Sequence, residues 1–377
     1  MGFVSHLRLR QFRNYDSLDV RFPPGLTVLA GDNGLGKSNL LEAIHYLAVL
    51  RSFRTRSAAE LRRWGGSYFC IEGLIAAEGS AGGTLADHRL SVIYGERRRL
   101  RRDGKLVARA SAFINTFLCV AFAPEDIGLI KAGPHGRRRF MDLLLSQSDP
   151  DYLLRLVNYT VALQARNAML RSPAAYGDKA LAAYDQVMAE NGAPLIQARH
   201  RFVEELRPRL AAAADTLAGT PFHADLHYTP TLGRRRPPDE TVATLAGEML
   251  DQWRRSRNRD AELGFTRLGP HRDEFEFLLA GRPAGVFGSE GQCRLLALAL
   301  KQAAADRLAA CTGRGLVVLI DDVLGELDRR RRTNFLHSFP RAQQIFLACT
   351  EPPPDIPCPQ ALFTVADGRL VQSTLTR

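Results

Sequence analysis

Apolar and polar residues alternate in short runs over the first hundred positions, and this period-two pattern predicts a region rich in β-strands. An apolar run at 26–30 leads into a glycine-rich loop, and apolar residues at helical spacing follow the loop. The predicted elements are strands over 4–9, 18–22, 26–30, 68–75 and 88–94, and a helix over 39–47. A turn signal at 102–105 adds a hairpin, so residues from about 66 to 108 should form antiparallel sheet.

The pattern changes in the middle of the chain, where long stretches show helical periodicity and contain little proline or glycine. Two long helices are predicted, over 140–168 and 181–217, with a break at about 171–178. A loop is expected at 229–238, which contains both proline and glycine. We interpret this region as a helical arm inserted into another domain.

Alternating strands and helices return after about residue 264. A helix is predicted over 290–311, and strands over 316–320 and 344–348. The strand at 316–320 is fully apolar, which is typical of buried parallel sheet. The expected fold class is therefore α/β. The expected domains are the N-terminal part of a head over 1–136, an inserted helical arm over 137–262, and the C-terminal part of the head over 263–377.

The composition is that of a globular chain of 377 residues, with 45% apolar and 24% charged residues. No apolar run reaches the length of a membrane span, and residues 1–10 lack the apolar core of a secretory leader. We therefore expect a cytoplasmic protein that has no membrane partner. The formal net charge is +11, from 51 basic and 40 acidic residues. This excess favours a polyanionic partner, most simply nucleic acid.

The strongest chemical signal is the loop between the strand at 26–30 and the following helix. It fits the phosphate-binding pattern G-x-x-x-x-G-K-[ST] without a mismatch. The glycines allow backbone N–H groups to wrap phosphates, and the helix N-terminus adds partial positive charge. We predict that Lys37 contacts the β- and γ-phosphates of ATP and that the Ser38 hydroxyl is a ligand of Mg²⁺. The predicted phosphate-binding residues are Gly31, Asp32, Asn33, Gly34, Leu35, Gly36, Lys37 and Ser38.

Two acidic residues at the end of the apolar strand 316–320 complete this prediction. An apolar strand that ends in an acid is the usual partner of a phosphate-binding loop. Asp321 is expected to lie opposite Ser38 and to help hold Mg²⁺. Asp322 is placed to orient or deprotonate the attacking water, so we predict that it is catalytic together with Lys37. Because the loop and the strand lie far apart in the chain, the nucleotide-binding domain should be split by an insertion.

Two tetrapeptides near this strand narrow the class of ATPase. Ser289, Glu290, Gly291 and Gln292 open the helix predicted at 290–311 and resemble the signature motif of ABC-type ATPases. In that superfamily the signature of one subunit closes over the phosphate-binding loop of another. The segment from Gly325 to Asp328 resembles the loop that crosses this dimer interface. Each tetrapeptide alone is equally typical of a helix cap or a turn.

With these motifs in place, the chain resembles the RecF family of bacterial recombination mediators, short relatives of the SMC ATPases. The resemblance covers nearly the whole chain, and its most specific parts are the Pro-Glu-Asp and Gly-Pro-His-Arg-Asp segments. The segments that carry it are 9–15, 31–44, 52–55, 122–126, 133–134, 137–140, 269–273, 289–292, 319–323 and 326–328.

The resemblance implies an ABC-type P-loop ATPase head, with a mixed sheet plus an antiparallel β subdomain, and a helical arm in place of a long coiled coil. It implies a homodimer that closes around ATP and Mg²⁺ and clamps DNA at gaps or single-strand/double-strand junctions. It also implies RecR and RecO as partners, a role in loading RecA, and a weak, DNA-stimulated ATPase. Arg13, Asn14 and Asn39 are carried over as ATP-binding residues, the first two near the base.

The chain departs from the family pattern at several positions. Glu290 stands where a neutral or basic residue is expected, and Gly325 stands where serine is usual. The switch histidine of ABC-type ATPases has no clear counterpart, and Thr350 could take its place. The glutamine loop is expected near 124–126.

The DNA contacts are predicted among five arginine clusters, of which we expect two to be used. Several cations on one face are needed to neutralise phosphates, and a junction binder needs no base-edge readout. A single arginine run is more often a solvated face than a DNA groove. The candidates are Arg97, Arg98, Arg99, Arg101 and Arg102, then Arg137, Arg138 and Arg139, then 234–236, then Arg254 and Arg255 within 254–259, and finally 329–332.

Other readings of the same motifs stay open at this point. An ABC-type ATPase could serve another DNA transaction, and coupling to a nuclease would need a separate acidic metal cluster. A P-loop kinase of small molecules would have no use for the signature serine. A transporter ATPase subunit agrees poorly with the basic excess and with the segment 269–273.

Overall fold

A computed structural model of the chain describes residues 2–55, 57–77, 87–114, 116–172, 177–232, 240–354, 356–366 and 368–373. Its strands are β1 (Gly2–Phe12), β2 (Tyr15–Arg21), β3 (Gly25–Ala30), β4 (Phe69–Ala77), β5 (His88–Tyr94), β6 (Arg98–Arg102), β7 (Lys105–Leu106), β8 (Leu118–Phe122), β9 (Ala224–Thr229), β10 (Glu274–Leu279), β11 (Arg282–Pro283), β12 (Leu316–Asp321), β13 (Ala342–Cys349), β14 (Ala361–Ala366) and β15 (Arg369–Ser373). Its α-helices are α1 (Lys37–Val49), α2 (Ala110–Ile114), α3 (Gly128–Lys131), α4 (Pro134–Ser148), α5 (Pro150–Leu170), α6 (Asp178–Ala218), α7 (Val242–Leu263), α8 (Ala284–Phe287), α9 (Glu290–Thr312) and α10 (Arg329–His337).

The chain divides into two compact units. The first comprises residues 1–127, 213–221 and 294–377, and the second comprises 128–212 and 222–293. The domain boundaries expected from the sequence, after 136 and after 262, stay a prediction. No helix among the described residues is both long enough and apolar enough to cross a membrane.

The first unit contains a mostly parallel sheet in the order β15-β14-β3-β13-β12-β8. The strands from β14 to β8 run parallel, and β15 pairs antiparallel at one edge. Central strands β3, β13 and β12 are apolar and almost completely buried, as expected for parallel strands covered on both faces. The carboxyl ends of β3 and β12 therefore lie at one edge of the sheet, where the predicted phosphate-binding loop and Asp321 follow them.

A second sheet of the first unit is antiparallel, in the order β2-β1-β4-β5-β6-β7. It confirms the antiparallel sheet predicted between about 66 and 108, and it adds β1 next to β4 and β2 next to β1. Leu7, Leu9, Ile71, Val92 and Leu100 are buried on one face, whereas the residues that alternate with them point to the other face.

The second unit is mostly helical and includes a small sheet in the order β11-β10-β9. The helix predicted over 140–168 is wrong as a single element, because the chain breaks at Asp149 between α4 and α5. Proline disfavours helical backbone in the residue before it, and Asp149 has φ −136° and ψ 106°. The Asp149 side chain then accepts the Asp151 N–H and caps α5, which has Pro150 as its first residue.

Candidate nucleotide-binding site

The loop between β3 and α1 depends on glycine at both of its ends. Gly31 has φ +140°, and a Cβ atom there would lie 2.6 Å from the Val365 carbonyl oxygen. Gly36 has φ +117°, and a Cβ atom there would lie 2.6 Å from the Asn14 side-chain nitrogen. Residues other than glycine rarely adopt such backbone angles. Glycine is therefore required at both positions of the motif, because of the backbone conformation and because a Cβ atom has no space.

Lys37 lies inside this loop and is almost completely buried. Its ammonium group donates hydrogen bonds to the carbonyl oxygens of Gly31 at 2.5 Å and Asp32 at 2.8 Å. Asp32, Asn33 and Gly34 form the exposed part of the loop. The loop therefore places a buried cation and the N-terminus of α1 at the same point, which is the electrostatic arrangement that binds anions.

Ser38 and Asp321 are brought together from distant parts of the chain. The Ser38 hydroxyl donates to the Asp321 carboxylate at 2.7 Å. Burial raises the pKa of Asp321 to about 6, against the lowering effects of Ser38 and of Arg54. A hydroxyl and a carboxylate at hydrogen-bond distance supply the hard oxygen donors that Mg²⁺ prefers, so this donor set fits the predicted ion.

Asp322 adopts a backbone conformation that is rare outside glycine, with φ +52°. Aspartate tolerates this region better than most residues, but the conformation still stores strain. The Asp322 N–H donates to the Ala348 carbonyl at 3.2 Å, and the side chain is exposed. The backbone carbonyl of Thr350, which follows the neighbouring strand β13, accepts the Gly31 N–H at 3.2 Å. Asp322 and Thr350 thus lie at the edge of the sheet that carries the loop.

Asn14 contacts the phosphate-binding loop itself. Its side-chain amide donates to the Leu35 carbonyl at 2.9 Å and accepts from Asn39 at 2.8 Å. The Tyr15 hydroxyl donates to the Gly36 carbonyl at 3.0 Å, and burial raises its pKa above the ordinary range. These contacts fix the loop from the side of β1 and β2.

Arg13 forms a two-point ion pair with a completely buried carboxylate. Its Nε and Nη2 atoms each donate to Glu42 of α1 at 2.8 Å, and Nη1 donates to the Glu60 carbonyl at 3.0 Å. The Ser52 hydroxyl also donates to Glu42, and it accepts the Arg54 N–H at 2.9 Å. No role is predicted for Glu42, Ser52 or Arg54 from the sequence, although all three lie in segments that carry the family resemblance.

The segment expected to contain the glutamine loop lies at the carboxyl end of β8. Asp126 is paired with Lys301 of α9 and accepts the Ala123 N–H at 2.7 Å. Glu125 is exposed, and its charge contributes to the raised pKa of Asp321. Asp126 is therefore a structural anchor for Lys301, whereas Glu125 faces solvent near the acidic pair.

The segment expected at the dimer interface is a turn followed by a capped helix. Gly325 is exposed within a short 3₁₀ turn, and Glu326 pairs with Arg294 at 2.9 Å. Asp328 caps α10 by accepting the Arg331 N–H at 2.9 Å. Asp328 thus has a local role in helix capping.

In the second unit, the segment that resembles the signature motif opens α9. The Ser289 hydroxyl accepts the Gln292 N–H at 3.2 Å, and the Gln292 side chain accepts the Ser289 N–H at 2.9 Å. This reciprocal pair is a capping box. Residues 289–292 are all exposed, so the serine and the helix N-terminus face solvent.

Comparisons with known proteins agree with this geometry. A profile described as AAA domain matches residues 6–68. The DNA replication and repair protein RecF of Lacticaseibacillus casei (strain BL23) is 34% identical over 98% of this chain and 100% of its own length. The RecF protein of Symbiobacterium thermophilum is 34% identical over 98% of each chain. The chain belongs to the RecF family.

Solved structures of RecF and of an Smc head domain have folds similar to that of this chain. A structure of the recombination mediator protein RecF with ATP, described in the RecFOR pathway, has a TM-score of 0.90 at 28% identity and covers 99% of this chain and 98% of that one. The Smc head domain of Pyrococcus furiosus has a TM-score of 0.55 at 14% identity, over 99% and 97% of the two chains. The predicted α/β fold of an ABC-type ATPase head is confirmed.

The most specific RecF-family segment, 269–273, builds a buried network in the second unit. Asp273 is completely buried and accepts hydrogen bonds from Arg199, Tyr228 and the Thr231 N–H. Arg199 also donates to the Pro270 carbonyl at 2.6 Å and to Asp142 at 2.8 Å. The sequence predicts no role for this segment, because its partners Asp142, Arg199 and Tyr228 lie far away in the chain.

His271 of the same segment is held between two partners. One ring nitrogen lies 2.7 Å from the Tyr159 hydroxyl, and the other lies 2.9 Å from the Thr266 carbonyl. Burial lowers the pKa of His271 to about 4. The imidazole is therefore neutral at physiological pH, and it links Tyr159 to the Thr266 carbonyl by hydrogen bonds.

The candidate arginines of this RecF-family chain differ in their surroundings. Arg97, Arg98, Arg99 and Arg101 are exposed, whereas Arg102 is half-buried on the face of β6 that carries the buried Leu100. Within the second unit, Arg137 pairs with Glu274 at 2.9 Å, Arg138 donates to the Asp273 carbonyl at 2.8 Å, and Arg139 is half-buried. Arg254 and Arg255 are exposed on α7, and Arg254 lies 3.5 Å from Asp251. The cluster 234–236 lies outside the described residues, and 329–332 begin α10.

Proposed function

We propose that this chain is an ATP-dependent recombination mediator that binds DNA at gaps and single-strand/double-strand junctions. The observation that carries the proposal is the 2.7 Å hydrogen bond from Ser38 to Asp321, because it joins the two halves of an ATPase site across 283 residues. Membership of the RecF family supports the reaction class and the setting in DNA repair.

ATP would be held by the backbone of 31–38, by Lys37 and by the N-terminus of α1. Ser38 and Asp321 would hold Mg²⁺, which supplies charge neutralisation at the phosphates when it is bound. Arg13, Asn14 and Asn39 stay candidates for ATP binding, and their contacts in the structure support the loop. Asp322, exposed at the same edge of the sheet, would orient or deprotonate the attacking water.

The active form would be a homodimer that assembles on ATP. Ser289 and the N-terminus of α9 are exposed, as a site that closes over the phosphates of a second copy requires. If the ATPase site is complete only in the dimer, ATP hydrolysis is weak whenever few chains are dimeric. Similarity to a solved structure of RecF with ATP supports ATP as the ligand.

The biological partners follow from the family. We infer that the chain acts with RecR and RecO to promote loading of RecA on gapped DNA, and that it is cytoplasmic because its DNA substrate is there. An ABC-type ATPase that serves another DNA transaction stays the alternative. A small-molecule kinase agrees poorly with similarity to RecF proteins over 98% of the chain.

Sedimentation with ATP and Mg²⁺, with and without gapped DNA, tests the proposal. The wild-type chain should change from monomer to dimer on ATP, and the dimer should bind gapped DNA more tightly than the monomer. Lys37→Met should abolish the dimer, because the buried cation of the loop is lost. Asp322→Asn should prolong it, because hydrolysis is slowed. A wild-type chain that stays monomeric with ATP and gapped DNA would refute the proposal.

A further inference from the structure

The solvent face of the antiparallel sheet is strongly basic. Strand pairing places Arg101 opposite Ser91, Ser91 opposite Glu72, and Glu72 opposite Arg8. The adjacent row contains Arg99 and Arg10, with Ile93 and Cys70 between them and Ser17 beyond Arg10. The face carries six exposed arginines and two carboxylates, namely Arg8, Arg10, Arg21, Arg89, Arg99 and Arg101 with Asp19 and Glu72.

The dimensions of this face suit a nucleic-acid backbone. Arg8 and Arg101 lie on strands three steps apart in the sheet, which is about 14 Å at the usual spacing of neighbouring strands. Beyond Arg8 the row continues to Asp19 on β2, which pairs with Arg8 at 2.7 Å. The major groove of a duplex is about 12 Å wide, so Arg8 and Arg101 can reach phosphates on both sides of a groove. The face has an excess of four positive charges, and this excess favours binding of a polyanion.

A completely exposed tryptophan stands beside one end of this face. Trp64 is 100% exposed, whereas the chain's other tryptophan, Trp253, is 0% exposed. Tyr68, which precedes β4, is also exposed at 41%. A tryptophan side chain has a large apolar surface, and leaving all of it in water contributes nothing to folding. Trp64 is therefore accessible to a binding partner over its whole side chain.

The backbone holds Trp64 in one position. The Gly66 N–H donates to the Arg63 carbonyl at 2.8 Å, which closes a four-residue turn with Gly65 at φ +78°. Positive φ at the third residue is the geometry of a type II turn, and Trp64 is the second residue of this turn.

The turn is also tied to the sheet. The Arg63 N–H donates to the Gln11 carbonyl at 2.8 Å, and the Arg63 guanidinium pairs with Asp16 at 2.8 Å. Gln11 follows Arg10 directly, so the turn is fixed next to the row that contains Arg10 and Arg99. The turn that carries Trp64 is thus hydrogen-bonded to the residue that follows Arg10.

We propose that this surface, formed by the solvent face of the antiparallel sheet and the Trp64 turn, recognises the junction between duplex and single-stranded DNA. The arginines contact the phosphates of the duplex, and Trp64 stacks on an unpaired base at its end. Bases inside a duplex are already stacked, so only a terminal or single-stranded base offers a free face. This inference rests on the proposed function and names the surface that would give it junction specificity.

Tryptophan fluorescence tests the stacking directly, because Trp253 is buried and provides a constant background. The probes are a short duplex with a single-stranded thymidine tail and the same duplex without a tail, with the full chain and ATP. The tailed duplex should quench Trp64 emission more than the blunt duplex does. Trp64→Phe should lose the quenching but keep most of the affinity.

Affinity measurements with the same probes separate the two parts of the surface. Trp64→Ala should weaken binding of the tailed duplex by about 10-fold, the size expected for loss of one stacked base, and should affect the blunt duplex much less. Arg99→Ala and Arg101→Ala should weaken both probes, and each should reduce the slope of log K against log salt by about 1. Val371→Ala, which removes another exposed apolar side chain, is the control and should change neither.

Two results would overturn the inference. Equal loss of affinity for both probes in Trp64→Ala would mean that no unpaired base stacks there. Quenching of Trp64 by ATP in the absence of DNA would mean that a second copy of the chain covers it. Dimerisation of the wild-type chain is measured separately, so tail-dependent quenching without an ATP-dependent dimer would refute the proposed function and leave this inference standing.

Discussion

Ser38 donates a hydrogen bond to Asp321 at 2.7 Å, and Asp321 is 5% exposed. This contact joins the start of α1 to the end of β12. Because burial raises the pKa of Asp321 to about 6, the carboxylate is a source of pH dependence in the nucleotide-free protein.

We predict that Asp321→Asn stabilises the nucleotide-free protein at pH 7.5 and abolishes ATP hydrolysis. The folded state binds the Asp321 proton more tightly than the unfolded chain does, whose aspartate pKa is about 4. Stability from this group therefore falls as pH rises from about 4 to about 6, and it stays lost above that range. The expected gain in free energy of unfolding at pH 7.5 is about 1–3 kcal/mol.

Thermal unfolding between pH 4 and pH 8 measures this effect, with Asp322→Asn as a control of equal charge at an exposed position. The difference between wild type and Asp321→Asn should shrink as pH falls toward about 4. A difference that is constant over the whole range would contradict the prediction.

Glu42→Ala should destabilise the protein and weaken ATP binding. Glu42 is completely buried, and its removal leaves Arg13 without its carboxylate partner. Loss of one member of a buried pair costs about 3–5 kcal/mol. Denaturant unfolding and ATP titration measure the two effects, and Glu60→Ala is the exposed control on the same side of the chain. The double variant Arg13→Ala/Glu42→Ala should cost less than the sum of the two single variants, and strict additivity would show that the pair is not coupled.

Arg199→Leu should destabilise the second unit severely. Arg199 is 1% exposed and lies between Asp142 and Asp273, so its loss leaves two carboxylates without their cation. The expected cost is about 3–5 kcal/mol in free energy of unfolding. Arg201→Leu, at an exposed position of the same helix, should cost less than about 1 kcal/mol. Similar costs for the two variants in urea unfolding would mean that the buried network contributes little.

Mixing two inactive variants should restore part of the ATPase. Lys37→Met removes the loop cation, and Ser289→Arg places a bulky cation at the exposed start of α9. Each variant alone should hydrolyse ATP at background rate. A dimer of one copy of each contains one intact loop opposite one intact signature. With random pairing of equal amounts, the mixture should recover about a quarter of the sites. Failure of the mixture, with both variants folded by circular dichroism, would argue against completion of the site by a second copy.

The long helices of the second unit show what the local sequence pattern can and cannot predict. The helical periodicity of 181–217 predicts α6 closely, although Pro194 and Pro208 lie inside that helix. The predicted helix over 140–168 contains a break, because Pro150 and the capping side chain of Asp149 outweigh the periodicity. Strands β9 and β14 were not predicted, since their partners β10 and β3 lie far away in the chain, and β15, which pairs with β14, was missed with it.

The sequence by itself determined the strand, loop and helix that would hold phosphate, and the acidic pair after an apolar strand. These features depend on the spacing of a few adjacent residues, and such spacing is visible without a structure. Only the tertiary structure decided that Glu42 holds Arg13, that Asp273 accepts from Arg199, and that Arg8 and Arg101 share one face. Strand register and side-chain partners are set by packing between segments that are distant in the chain, so no local pattern specifies them.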